Sequence, residues 1–220
     1  MLALHEEHIG YLVVDRAGEP HFPRGEVELI AAFASQAAIA IANARLYNSQ
    51  IEQAWVSTAL LQVAEATTQA TEVSEVAQAV ARLTPMLAGV DRCAVLLAEG
   101  DEFVINAFYS DKGAVPAAEP PLRFAPADWP QLQMVIETCE PLVISAPDLD
   151  DSMPADLRRL FSEVVILLPL LAKGQVQGLL AVGQEAGESP FNTQRVRLLS
   201  GIANQTAASC SINLSRKRRG

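Results

Sequence analysis

The sequence predicts an α+β fold in which helices flank both faces of an antiparallel sheet and a long helix leads into it. Residues 164–183, VVILLPLLAKGQVQGLLAVG, hold two apolar runs separated by a short turn, which predicts a buried hairpin. Residues 26–84 contain neither glycine nor proline, and apolar residues recur there at helical spacing. The hairpin-and-helix pattern occurs twice, once at each end of the chain.

The repeat sets the predicted domain organisation. Met1–Val14 aligns with Pro169–Val182 without a gap, so that Gly10 pairs with Gly178. One inserted residue then pairs Phe22 with Phe191. The helix positions that match beyond it are Val27, Leu29, Ala34, Gln36 and Ala38, which align with Val196, Leu198, Ala203, Gln205 and Ala207. We therefore expect a C-terminal domain fragment at residues 1–48, a connecting helix at 49–70, a complete domain at 51–214 and a basic tail at 215–220.

The first half of the complete domain reads as helices followed by a hairpin. The long helix is predicted from about residue 24 to residue 69. Thr71 or Ser74, with two glutamates in the first turn, restarts a second helix that ends near Gly89. Residues 92–98 and 103–110 flank an acidic turn that contains glycine, and they predict two antiparallel strands.

Shorter elements complete the domain. Leu122–Phe124 and Leu142–Ile144 predict brief strands, and Asp128 is the predicted cap of a helix that reaches Thr138. Residues 152–161 predict one or two helical turns. The hairpin of residues 164–183 and a last helix over residues 192–219 then close a sheet that is covered on both faces.

Charge and cysteine content bear on the partners of the protein and on the compartment in which it works. The chain has 16 basic and 26 acidic residues and a net charge of −10. Because residues 216–219 are all basic, the remainder carries about −14, which argues against nucleic acid as a partner. Three widely spaced cysteines without a CxxC motif, no signal peptide and no membrane span predict a cytoplasmic protein with reduced thiols.

Particular residues in this order of elements resemble the GAF domain family, a sensory GAF/PAS-like fold of signalling proteins. They are Glu140-Pro141-Leu142-Val143-Ile144 ahead of Asp148, the return strand from Gly178 to Val182, and Phe191 opening the last helix. In the first copy, Ala34 to Tyr47 is similar to the family's usual helix ending. The resemblance implies a sensory or regulatory module that binds a small molecule and transmits a change through dimer helices. A ligand-free dimerisation or connector module is the alternative.

Several sequence features of ligand-binding relatives are missing here, and their absence disfavours particular classes of ligand. Cyclic-nucleotide relatives share an Asn-Lys…Phe-x-x-x-Asp-Glu pattern. Here Glu26-Val27 follows Phe22 and Arg195-Val196 follows Phe191 in place of Asp-Glu, so the pattern is not met. The three histidines, His5, His8 and His21, all lie in the partial copy, so the complete domain has none to ligate haem. Cys139 does not stand where bilin-binding relatives attach the pigment. The acidic residues 148–151 lack the spacing of a calcium loop. We predict no metal and no known cofactor, and an unknown small ligand stays open.

The family also contains the free methionine sulfoxide reductases, which use pocket cysteines. Cys93 falls within a predicted strand and Cys210 on the last helix, so only Cys139 lies near the segment that crosses the sheet. No Ser-His-Asp, metal-ligand or glycine-rich phosphate arrangement competes. We therefore predict no catalytic residue and no enzyme activity, with a reductase-like enzyme as the lesser alternative.

A sensor would bind its ligand between the sheet and the crossing segment of residues 119–161. The residues predicted to line this pocket, or to orient a polar group in it, are Phe108, Trp129, Ile144, Asp148, Leu149, Arg158 and Phe161. The apolar members fit a plain core as well, because pockets and cores use the same residue types.

Two helical stripes predict a homodimer through parallel helices. They are Val27, Ile30, Ala34, Ala37, Ile41 and Ala44 on the first helix, and Val196, Leu199, Ala203, Thr206, Cys210 and Asn213 on the last. Two helices from each copy would form a four-helix bundle. A second copy is also the expected cover for the hairpin of residues 1–14, which would otherwise be an exposed edge. The family implies an output domain outside these residues: a kinase, phosphatase, cyclase or transcription factor.

Overall fold

The structure, a computed structural model, describes residues 2–4, 7–18, 21–111, 121–145, 153–161, 164–184 and 191–217, with side chains from residue 8 to residue 211. The chain forms two compact units, Met1–Trp55 and Val56–Gly220. Helix α1 (Arg24–Thr68) contributes to both of them.

The first unit holds a short hairpin and the beginning of α1. Strands β1 (Leu2–Leu4) and β2 (Glu7–Gly10) pair antiparallel, with Leu2 opposite Gly10 and a bulge between Leu2 and Ala3. The predicted hairpin is therefore present, but its return strand ends at Gly10 and residues 11–16 are not in a strand. A strand needs a neighbour for its backbone hydrogen bonds, and none of the described residues pairs with this segment.

The core of the first unit is small. Ala34 and Ala38 on α1 are buried, packed by Ile9 of β2 and by Ala37. Most other large apolar side chains of α1 in this unit are exposed. By length and composition α1 could also cross a membrane, which is weak evidence because core helices of soluble proteins pass the same test.

Helix α2 (Val73–Ala88) opens the second unit beyond α1, close to its predicted bounds. Glu72 is its N-cap residue, and the carboxylate of Glu75 accepts hydrogen bonds from the backbone N–H groups of Glu72 and Thr71. Gly89 ends the helix at φ 61°, a left-handed conformation that glycine adopts without steric cost.

Six further strands form one antiparallel sheet within the described residues. They are β3 (Arg92–Glu99), β4 (Glu102–Ser110), β5 (Arg123–Phe124), β6 (Leu142–Ser145), β7 (Val164–Ala172) and β8 (Gln175–Gln184). Their order in the sheet is β5-β4-β3-β8-β7-β6. The apolar hairpin β7–β8 lies inside the sheet, as the unbroken apolar runs of residues 164–183 predicted.

Within the described residues, the second unit has three further α-helices: α3 (Pro130–Thr138), α4 (Ala155–Leu160) and α5 (Thr193–Lys217). Asp128 does not cap α3 as predicted. It lies in a 3₁₀ turn, Pro126–Asp128, and Trp129 is the residue that precedes α3. Two prolines cause the difference: Pro126 opens the 3₁₀ turn, and Pro130 can only occupy the first turn of the next helix.

The sheet separates two apolar cores because successive strand residues point to opposite faces. On one face, α2, α5 and the last turns of α1 cover side chains such as Val95, Leu168 and Leu180. On the other face, α3 and α4 cover side chains such as Leu96 and Leu179. We call the second cluster the α3/α4 core.

The stripe predicted on the last helix belongs to the first of these cores. Leu199, Ala203, Thr206 and Cys210 are buried and Val196 is half-buried, packed within their own unit. This corrects their assignment to a dimer surface. A helix that lies flat on a wide sheet buries adjacent positions on one side, so Leu198 and Ile202 are buried beside them.

Candidate functional site

The candidate site is the α3/α4 core, on the face where a pocket was predicted. Its buried members come from strands of the sheet, from the segment before α3, and from α3 and α4 themselves. They are Ala94, Leu96, Phe103, Phe124, Trp129, Leu132, Val135, Ile144, Met153, Leu157, Leu160, Phe161, Val165, Leu167, Leu179 and Ala181. The side chains of these buried members are apolar, and the indole N–H of Trp129 is the one side-chain hydrogen-bonding group among them.

Trp129 is fully buried, and its indole N–H has no hydrogen-bond acceptor among the described residues. Its backbone is satisfied, because its N–H donates to the Pro126 carbonyl at 3.2 Å and its carbonyl accepts from the Gln133 N–H at 3.1 Å. The ring packs edge-to-face on Phe124 with centroids 6.2 Å apart. Buried tryptophan usually finds an acceptor for this N–H, so the group marks a place where one is missing.

The structure brings four of the predicted pocket residues together. Trp129, Ile144 and Phe161 are buried in the α3/α4 core, and Phe108 packs against it. The rings of Phe108 and Phe161 meet edge-to-face, with centroids 6.0 Å apart and planes at 84°. Arg158 is exposed on α4. Asp148 and Leu149 lie outside the described residues.

Arg92 ties the sheet to the segment that covers this core. It stands at the start of β3, and its Nη1 donates to the backbone carbonyl of Leu160, the last residue of α4, at 2.8 Å. A charged donor on a helix C-terminal carbonyl is a favourable arrangement. Nothing in the sequence pattern separates Arg92 from other strand-edge charges, and the prediction missed it.

A cavity of about 150 Å³ lies on the opposite side of the sheet, between β7 and α5. Its lining includes Cys139, Pro141, Leu168, Ser200 and Asn204. Pockets that enclose metabolites usually measure about 300–1,000 Å³. This cavity is therefore too small for a typical metabolite.

The three cysteines differ in the expected reactivity of their thiols. Burial raises the pKa of the Cys93 thiol to about 12 and that of Cys210 to about 11, so both stay protonated and unreactive near neutral pH. Cys139 is half-buried at the end of α3. Among the described residues, no group of three or more histidine, cysteine or acidic side chains is placed to hold a metal ion.

Comparison with known families and structures gives one family. The family model described as GAF domain matches residues 72–210, which is more than half of the chain. The match begins at the N-cap of α2 and ends within α5, so it spans the sheet and both cores.

Solved structures with the same fold come from several kinds of protein. A GAF domain/HD domain protein from Geobacter sulfurreducens aligns with a TM-score of 0.58 at 21% identity, over 66% of this chain and 95% of that one. The GAF-B domain of DevS from Mycobacterium smegmatis aligns with a TM-score of 0.54 at 25% identity, over 68% and 100%. A free methionine-R-sulfoxide reductase from Neisseria meningitidis, in complex with its substrate, aligns with a TM-score of 0.57 at 17% identity, over 73% and 91%.

Proposed function

The chain belongs to the GAF domain family, and on that premise we propose that its complete domain is a sensory module that binds a small molecule in the α3/α4 core. The observation that carries the proposal is the buried Trp129 N–H, which has no acceptor in the part of the chain that the structure describes. Leaving such a group unpaired costs about 1–3 kcal/mol. A carbonyl or similar acceptor on a bound molecule would remove that cost, and the apolar surroundings favour an uncharged molecule with an apolar body.

Native mass spectrometry of the freshly purified full chain tests this role. We expect the wild type to carry an added small-molecule mass. Trp129→Phe keeps an aromatic ring and removes the N–H, so the affinity should fall about 5- to 150-fold, which corresponds to the roughly 1–3 kcal/mol of one buried hydrogen bond.

Trp55→Phe is the matched control, because Trp55 is exposed on α1. It should retain the wild-type amount of bound molecule. A wild type without added mass, or a Trp129→Phe variant that retains the molecule as well as the control does, would contradict the proposed site.

A ligand-free connector is the second candidate, and exposed apolar residues on α1 favour it. Within the first unit, residues at alternating spacings of four and three line one side of the helix and are all exposed: Ala40, Ala44, Tyr47, Ile51 and Ala54. This is the a/d spacing of a two-stranded coiled coil, and the small residues let two helices approach closely. In this role a second copy of the chain binds along α1. The α3/α4 core then binds no ligand and only stabilises the fold.

Light scattering tests pairing along α1, and native mass spectrometry of the same sample shows whether a molecule is bound. Ala44→Glu puts a charge into the helix pair and should convert a dimer to a monomer, whereas Ser49→Glu lies on the far side of α1 and should not. A connector without a ligand would dimerise and carry no added mass. A monomeric wild type would refute pairing along α1 and leave the sensor role intact.

We also propose that residues 1–48 are the C-terminal part of a second GAF-type domain. The hairpin β1–β2 pairs Leu2 with Gly10, as β7–β8 pairs Leu170 with Gly178, and both hairpins carry their bulge at the next position. Each following helix begins two residues after the aligned phenylalanine, at Arg24 and at Thr193. Equal register, equal bulge and equal helix start support common descent of the two segments.

In the proposed role the domain performs no chemistry, and an output such as a kinase, phosphatase, cyclase or transcription factor acts on its signal. The reductase-like alternative rests on Cys139, since Cys93 and Cys210 are held protonated. Incubating the full chain with free methionine sulfoxide and dithiothreitol should yield no methionine above the protein-free rate. Turnover that Cys139→Ser abolishes would contradict the non-enzymatic role.

A further inference from the structure

The segment Tyr11–Val14 has the sequence of a central strand and the surroundings of a loop. In the repeat it aligns with Leu179–Val182, where every side chain is fully buried and β8 lies between β3 and β7. Tyr11 and Val13 are 78% and 85% exposed. No described residue pairs with this segment, whereas its counterpart has a strand on each side.

Gly10 is a second indication that this segment lacks a neighbouring strand. At its counterpart Gly178, a Cβ would lie 2.3 Å from the carbonyl oxygen of Leu96 on β3, so only glycine fits there. The strand that imposes this requirement on Gly178 is β3, and none of the described residues before residue 49 forms a counterpart of it. A glycine within an apolar strand sequence is explained at Gly10 if a β3-like strand lies beside it.

Helix α1 also exposes apolar side chains whose counterparts in the complete domain are buried. Leu198 and Ile202 of α5 are buried against the sheet, and their counterparts on α1, Leu29 and Phe33, are 58% and 64% exposed. Large apolar side chains side by side on an unpartnered face mark a surface that another polypeptide covers. The counterparts of both elements lie in one core, which holds Leu180 and Val182 of β8 with Leu198 and Ile202 of α5. By the repeat, the segment Tyr11–Val14 and this face of α1 are therefore two parts of one surface.

We propose that this surface binds a polypeptide folded as the N-terminal two thirds of a GAF-type domain. That polypeptide would place one antiparallel strand on each edge of Tyr11–Val14 and an apolar sheet face under Leu29 and Phe33. The inference rests on the proposed identity of residues 1–48 and is independent of the proposed ligand. The internal repeat indicates what covers this surface. In the complete domain the equivalent surface, formed by β8 and α5, is covered by β3, β7 and α2.

A second copy of the chain fits this surface less well. The sheet of the complete domain has β5 and β6 at its edges, and its β3 and β7 are already paired on both sides. A second copy could therefore add a strand to one edge of Tyr11–Val14, but it could not supply the two flanking strands that the repeat requires.

The experiment extends the full chain with a second copy of its own residues 71–168, placed directly before Met1. Leu168 then precedes Met1 as it precedes Pro169 in the complete domain. Hydrogen exchange is measured at the amides of Tyr11–Val14 in the extended and the original chain. We expect exchange to slow at least about 100-fold in the extended chain, because these amides become part of a central strand.

Leu12→Asp is the matched variant. Its counterpart Leu180 is fully buried, whereas Leu12 is 40% exposed. In the original chain the variant should keep the folded structure and the exchange rates of the wild type. In the extended chain it should return the amides of residues 11–14 to fast exchange. Equal exchange in the extended and original chains would overturn the proposal.

A second measurement uses the original chain alone, in case the added copy does not fold. An apolar dye such as anilinonaphthalene sulfonate should bind the uncovered surface, and Leu12→Asp combined with Phe33→Asp should reduce its fluorescence at least about two-fold. Slow exchange at Tyr11–Val14 that depends on protein concentration would show that a second copy covers the surface. Either that result or an absence of dye binding would overturn the proposal.

Discussion

Gly178→Ala is the substitution for which the structure makes the strongest prediction. Gly178 lies in β8, opposite Leu97 of β3 and Leu170 of β7. An added Cβ would meet the Leu96 carbonyl oxygen at 2.3 Å, and a methyl carbon of Leu170 and of Leu97 at 3.0 Å each. The first contact is with backbone, so relief requires that β3 and β8 move apart by about 1 Å, which disrupts ladder hydrogen bonds between them.

The expected cost follows from these contacts. Overpacking a tight core costs about 1–3 kcal/mol, and each weakened ladder hydrogen bond adds about 1 kcal/mol. We expect Gly178→Ala to destabilise the domain by about 3–4 kcal/mol. At Gly183 the obstacle is the ring of Phe161 at 2.5 Å. Because a side chain can turn away, Gly183→Ala should cost only about 1–2 kcal/mol.

Urea unfolding of the full chain, followed through the fluorescence of the buried Trp129, measures both effects. With a slope of about 2–3 kcal/mol per molar urea, Gly178→Ala should lower the midpoint by about 1–2 M. Gly174→Ala is the control: Gly174 has φ 76° and no atom near an added Cβ, so only its backbone conformation is penalised, by about 1 kcal/mol. If Gly178→Ala costs no more than Gly174→Ala, the steric reasoning is wrong.

Three further predictions follow from single side chains. Under an alkylating reagent at pH 8, Cys139 should react first by mass spectrometry, because burial raises the pKa of Cys93 to about 12 and that of Cys210 to about 11. The Thr71 amide, with weaker donors, lowers the pKa of the Glu75 carboxyl below 4.5. Glu75→Gln should therefore lower the urea midpoint at pH 7, and the difference should disappear as the pH falls through that lowered pKa. Arg123→Met should change stability by less than about 1 kcal/mol, because its ion pairs with two glutamates are half-exposed.

The order of elements was predictable because each local signal agrees with the fold. The β7–β8 hairpin is apolar on both faces and lies inside the sheet, where both faces are covered. Gly89 ends α2, and the glycine-free and proline-free stretch from residue 26 became one helix to Thr68. The repeat was visible because Gly10 and Gly178 hold equal positions in two hairpins.

The site was only partly predictable, because its decisive feature is an absence. The sequence placed Trp129 and Phe161 in the segment that crosses the sheet, and Phe108 on a strand that this segment covers. It could not indicate that none of the described residues offers an acceptor to the Trp129 N–H, because that depends on the position of each neighbouring oxygen. The buried side of α5 was misread because residues at 3-4 spacing define a stripe, whereas burial on a broad sheet takes two adjacent stripes.

The three stretches of α1 explain why one helix is both long and apolar. Near its start, Leu29 and Phe33 belong to the surface that a GAF-type sheet is proposed to cover. From Ala40 to Ala54, exposed residues at heptad spacing suit a helix partner. In the second unit, Ala59 and Val63 are buried in the same core as Leu180 of β8. Each stretch therefore has its own packing role, observed or proposed, that accounts for its apolar residues.

The two cores on opposite faces of the sheet give the proposed sensor a route for a binding signal. In the proposed sensor, a molecule that draws Trp129 toward it acts on the face of the sheet that holds Leu179 and Ala181. The intervening residue Leu180 points to the opposite face, into the core that contains Ala59 of α1. A displacement of β8 therefore changes both cores at once, because alternate side chains of one strand cannot move independently. In the proposed sensor, the sheet would therefore couple a molecule bound in the α3/α4 core to the last turns of α1.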